Sequence, residues 1–92
     1  MRRLRQAAHL TEQQVENEIA LFDQNRQVVH ILNPTAAVVW RLCDGSRTNE
    51  QLVDDVAFLF NVERSAVERD VEAILATFDR ARLLTAESEP AE

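Results

Sequence analysis

Hydrophobic and polar positions divide the chain into two parts with different periods. Residues 18–22 read EIALF and residues 27–32 read QVVHIL, two apolar runs separated by the polar DQNR at 23–26. Branched and aromatic side chains on both sides of a polar turn predict a β-hairpin. A weaker strand is expected near residues 13–16, completing a three-stranded meander. From Asn33 the period becomes helical. Asn33 suits an N-cap, and Pro34 suits the first helical position, where its missing N–H costs nothing. Asp44-Gly45 is expected to end that helix. Thr48-Asn49-Glu50-Gln51 reads as a capping-box start, and the helix after it places Leu52, Val53, Val56, Leu59 and Phe60 on one apolar face. Ser65-Ala66-Val67-Glu68 reads as a second capping box. Val67, Val71, Ile74, Leu75 and Phe78 follow it at helical spacing, to about Arg82.

The expected fold class is α+β: a three-stranded antiparallel sheet followed by three α-helices, because so small a sheet needs helices to bury its apolar face. The 92 residues suit a single domain. Its periodic part spans 11–84. Residues 1–10 show no period and are expected to be an N-terminal lead-in with freedom to move. The polar, acidic TAESEPAE at 85–92 is expected to be a disordered tail.

Charge and rare residues narrow the chemistry. The net charge is −6, and all ten basic residues are Arg, so phosphate binding would need those Arg residues on one face. No apolar run is longer than that at residues 36–40, too short to span a bilayer, and a single Cys makes no internal disulfide; a soluble, cytoplasmic protein is expected. Candidates for catalysis are few. His30 alternates with Val28 and Leu32 on one strand face, the position of a packed structural histidine. His9, His30 and Cys43 lie in three separate elements without metal-ligand spacing. Cys43 reads as a small core residue, and one glycine cannot build a phosphate loop. No catalytic residue, no metal site and no cofactor is assigned, and the chain is read as a binding domain, not an enzyme.

The binding surface suggested by the pattern is the strand at 27–32. Exposed edge strands are normally blunted with Lys, Pro or inward charges, and QVVHIL has none of these. Either another element or subunit covers it, or it receives an extended peptide by strand addition. The helix over 66–82 can supply a second wall.

Ordered features over residues 15–84 carry a family resemblance: IALFD, then LNPTAAVVW, then LCDGSRT, then EQLVDDVAFLF, then VERDVEAILATFDRARLL. Together they resemble the PqqD-like family, also called the RiPP recognition element. The resemblance implies a winged helix-turn-helix-like fold of three strands followed by three helices. It also implies a non-catalytic chaperone that binds the leader segment of a ribosomally made precursor peptide. Its implied partner is a modifying enzyme: a radical SAM protein, a cyclodehydratase or a leader peptidase. The leader would add to the third strand beside the third helix. Carried onto this chain, that nominates Val28, Val29, His30, Ile31 and Leu32 on the strand, and Val67, Asp70, Val71, Ile74, Leu75 and Phe78 on the helix. The chain departs from the family pattern at Val29 or His30, where many members have an aromatic, and at Ala36 or Ala37, where many have Gly.

The alternative reading is a winged-helix DNA-binding regulator. Residues 65–82 hold Arg69, Arg80 and Arg82 against Glu68, Asp70, Glu72 and Asp79, a balance with no net attraction for phosphate. The expectation is therefore no nucleic acid and no membrane partner. An uncovered edge can also pair two copies as a homodimer.

Overall fold

The alternation of EIALFD is kept in the folded chain: Ile19, Leu21 and Asp23 are fully buried, while Ala20 and Phe22 face the other side of their sheet. A computed structural model describes residues 2–88. The elements are β1 (Arg2–Gln6), β2 (Leu10–Val15), β3 (Glu18–Asp23), β4 (Val28–Leu32), α1 (Pro34–Leu42), α2 (Asn49–Phe60), α3 (Arg64–Arg80) and β5 (Leu84–Ser88). Strands β2, β3 and β4 form the antiparallel meander in that order. In its register Ile19 stands opposite Leu32, Leu21 opposite His30 and Asp23 opposite Val28. With the three helices this makes an α+β fold.

The chain's first and last described segments differ from expectation. Residues 1–10 and 85–92 read as a lead-in and a tail, yet β1 and β5 pair antiparallel as a second sheet, with Leu4 opposite Ala86 and Gln6 opposite Leu84. The other side of β1 is bonded to the loop after α1. Leu4 N–H donates to Arg47 C=O (3.1 Å), Gln6 N–H to Cys43 C=O (2.9 Å), and Gly45 N–H to Leu4 C=O (2.9 Å). A strand hydrogen-bonded on both sides, with Leu4 buried, is a structural element. Residues 89–92 of the expected tail lie outside the described residues.

Helix boundaries follow local chemistry with two exceptions. The Asn33 side chain accepts from Ala36 N–H (2.8 Å). Thr48 and Gln51 form the expected reciprocal capping box at the start of α2. Helix α1 stops at Leu42, and Gly45 in the loop beyond it takes φ +90°, a value that favours glycine. The first exception is α3. It starts at Arg64 behind Glu63, with no side-chain cap, so the Ser65 capping box does not form. Asn61 closes α2 in the left-handed conformation, and the chain re-enters a helix before Ser65. The second exception is the apolar face of α2. Leu52, Val53, Val56 and Ala57 are buried, whereas Leu59 and Phe60 are exposed, because the last turn of α2 runs past the core.

Trp40 joins the layers. It is 1% exposed, and its ring meets that of Phe78 edge-on at 5.9 Å. Trp40 Nε1 donates to Glu12 Oε1 (3.1 Å), and its carbonyl accepts from Gln6 Nε2 (2.9 Å). One residue of α1 thus contacts β2, α3 and β1.

Candidate functional site

Strand β4 leaves a tight four-residue turn held by Asp23. Asp23 Oδ1 accepts from the N–H groups of Asn25 (3.0 Å) and Arg26 (3.1 Å), and Gln27 N–H donates to Asp23 C=O (2.8 Å). His9 Nε2 lies 3.4 Å from Asp23 Oδ2. Burial pushes the Asp23 carboxyl up, but Arg26 N–H, His9 and Asn25 N–H together bring it below its ordinary value. Gln27 then takes φ +59° and delivers the chain into Val28.

Among the described residues, nothing pairs with the outer side of β4: it is an edge of the meander. Its side chains alternate. Val29 and Ile31 are 58% and 63% exposed and stand opposite Phe22 and Ala20 on the face turned from the helices. His30 is half-buried and Leu32 buried on the inner face, and His30 Nε2 is buried without a hydrogen-bond partner. Val28 begins the strand partly exposed. The five nominated strand residues therefore form one continuous, uncharged edge with two different faces.

The six nominated helix residues do not form one surface. Val71, Leu75 and Phe78 are buried in the core. Val67 and Ile74 are half-buried at its margin, and Asp70 is exposed. A stripe with helical period must first fill the core, and only its margin is left for contact. Ala66, Ala73 and Thr77 share the flank of Asp70 at i, i+4, i+7, i+11 spacing and are also exposed. Sequence reading passed over them because they are small and not strongly apolar, yet small side chains are what lets another backbone approach. The opposite flank, Glu72, Ala76 and Asp79, lines an open recess of about 300 Å³ with Leu4 and Leu84. The flank of Asp70 is thereby turned away from the β1–β5 sheet.

Other reactive groups lie apart from this edge. Cys43 is buried beside Asp44, and burial first, then the carboxylate, pushes its thiol up to about 12. A thiol so raised stays protonated and a poor nucleophile at neutral pH. Among the described residues no cluster of three His, Cys, Asp or Glu is placed to hold a metal ion. No helix among them is long and apolar enough to cross a membrane.

The chain is thus an α+β domain whose meander ends in an open, apolar edge strand. Residues 18–84 match the family described as coenzyme PQQ synthesis protein D (PqqD), and the chain belongs to that family. The match begins at β3, so β1 and β2 lie outside it. No curated protein sequence matches the chain. Two solved structures share the fold. One is TbiB1 in complex with the TbiA(beta) leader peptide, with 20% identity and a TM-score of 0.77, covering 92% of this chain and 99% of that one. The other is a lasso peptide synthetase B1 complexed with the leader peptide, with 20% identity and a TM-score of 0.74, covering 89% and 96%.

Proposed function

We propose that this domain is a non-catalytic chaperone of peptide modification. It binds the leader segment of a ribosomally synthesised precursor peptide by strand addition to β4 and delivers it to a modifying enzyme or leader peptidase. The observation that carries the reading is the unpaired outer side of β4, in a member of the PqqD family. Two proteins of the same fold were solved with leader peptides, which supports it further.

In this reading the leader's backbone hydrogen-bonds to the free groups of β4, which gives affinity, and alternate side chains give selectivity. Outward side chains lie beside Val29 and Ile31 and are apolar or β-branched. Inward ones meet Val67 and Ile74, while Asp70 offers a carboxylate to a Lys or Arg of the leader. The buried residues of α3, Val71, Leu75 and Phe78, shape this wall from behind. The partner enzyme is a radical SAM protein, a cyclodehydratase or a leader peptidase, and the setting is the cytoplasm.

The test is an NMR titration of isotope-labelled protein with the leader peptide encoded beside its gene. The expected result is saturable shifts of the amides of residues 27–32 and of the Val67, Asp70 and Ile74 flank. Unmoved amides at 27–32 in high micromolar peptide would sink the proposal. If the free protein sediments as a dimer that the peptide does not dissociate, the edge belongs to a second copy instead.

A further inference from the structure

The two carboxylate oxygens of Asp23, where β3 turns toward β4, are used differently. Oδ1 accepts from the N–H groups of Asn25 (3.0 Å) and Arg26 (3.1 Å) and so shapes the turn. Oδ2 is buried and, among the described residues, has no hydrogen-bond partner. His9 Nε2 faces it at 3.4 Å, from a side chain that is 35% exposed where that of Asp23 is 1%. A buried carboxylate oxygen without a donor is costly, and a positive charge on the imidazole offsets that cost.

His9 comes from outside the hairpin that it faces. It lies in the turn between β1 and β2, two residues after Ala7, whose N–H donates to Leu83 C=O (2.9 Å). Its neighbour Leu10 stands opposite Asp23, and Asp23 opposite Val28, so the pair sits at the end of the meander where β4 begins. Besides His9, the groups that act on the Asp23 carboxyl are the backbone N–H groups of Arg26 and Asn25. Against burial, these hold the carboxyl below its ordinary value. Asp23 is therefore ionised throughout the range of about pH 5–8 in which a histidine side chain changes charge. Over that range the charge of the pair is decided at His9.

We infer that His9 is a positioning residue for the peptide-binding edge: charged, it locks the Asp23 turn and the start of β4; neutral, it loosens them. It acts through Asp23. Resting on the function proposed above, this makes leader binding sensitive to pH. A strand bonded on one side only opens locally at low cost, and the fraction of molecules with β4 in place scales the apparent affinity for an added strand. The sign follows from the charges. Asp23 stays negative, so loss of the His9 proton as pH rises removes an attraction, and affinity falls.

The experiment compares wild type, His9→Gln and His9→Lys at pH 5.5 and pH 8. It reads the hydrogen-exchange protection of the Asn25, Arg26 and Gln27 amides, corrected for the intrinsic rate at each pH, and the affinity for the leader peptide encoded beside the gene, by calorimetry. In wild type both should fall about threefold from the lower pH to the higher, as suits an ion pair with one half-exposed partner. His9→Gln should stay at the lower level at both pH values, and His9→Lys, a cation throughout, at the higher. His30, on β4 itself, is present in all three proteins, so its own effect cancels between them. The role of His9 is overturned if wild type shows no change, if His9→Gln keeps the wild-type pH dependence, or if His9→Lys behaves like His9→Gln, which would make the position one of shape and not of charge. It is also overturned if protection changes while leader affinity does not. A leader that binds wild type at neither pH instead refutes the proposed function and leaves the exchange measurement to decide whether His9 locks the turn.

Discussion

Strands β1 and β4 are the same length and are treated in opposite ways. β1 is hydrogen-bonded to β5 on one side and to the loop over residues 43–47 on the other, with Leu4 buried between the layers. β4 is bonded on one side only, and three of its five side chains, Val28, Val29 and Ile31, are apolar and exposed. The sequence RRLRQ is polar but has backbone partners on both sides; VVHIL is apolar but left open on one. The location of hydrophobic residues therefore does not identify the protected strand. Backbone satisfaction does, and an apolar strand with free N–H and C=O groups is a liability unless something is meant to pair there.

The strongest way to break the comparison is to remove what both regions lean on. Trp40→Ala should cost about 3–5 kcal/mol, because the side chain fills the core, meets the Phe78 ring of α3 and bonds Glu12 of β2. Denaturant unfolding should show a midpoint near zero or no cooperative transition. Next, Leu4→Ala should cost about 2–4 kcal/mol as a core truncation, measured in the same way. Ile31→Glu, on the exposed face of β4, should change stability by less than about 0.5 kcal/mol while weakening leader binding about tenfold by calorimetry. Equal destabilisation by the two substitutions would erase the distinction between an enclosed and an open strand. The smallest effect concerns the turn before β4. The folded-state pKa of Asp23 is depressed, so its contribution to stability is present above the unfolded carboxylate value of about 4 and is lost as pH falls through the lower folded value. Between neutral pH and pH 3, wild type should lose more thermal stability than Asp23→Asn, whose stability already lacks this contribution. Parallel melting-temperature curves for the two proteins would count against the assignment.

Features that depend on neighbours in the chain were readable in the sequence. The EIALF–DQNR–QVVHIL hairpin, the Asn33 cap and the Thr48–Gln51 box all rest on residues within a few positions of one another, and each forms as expected. The β1–β5 sheet is different. Arg2 pairs with Ser88, partners separated by nearly the whole chain, and neither strand has the apolar alternation that marks a strand locally. The same limit applies to the site. The edge at β4 could be named because its composition breaks a rule about edges. The helix residues could be named only as one stripe, since the division of Val71, Leu75 and Phe78 into the core from Val67, Asp70 and Ile74 at its margin depends on what packs against α3. The exposed last turn of α2 was masked in the same way: Leu59 and Phe60 keep the helical period of a buried face after the core has ended.

The pairing of Arg2 with Ser88 has an architectural consequence. The two directions in which the polypeptide leaves the domain start side by side, on a sheet that does not include β4. A segment joined to Arg2 and one joined to Ser88 would hang from nearly the same point of attachment.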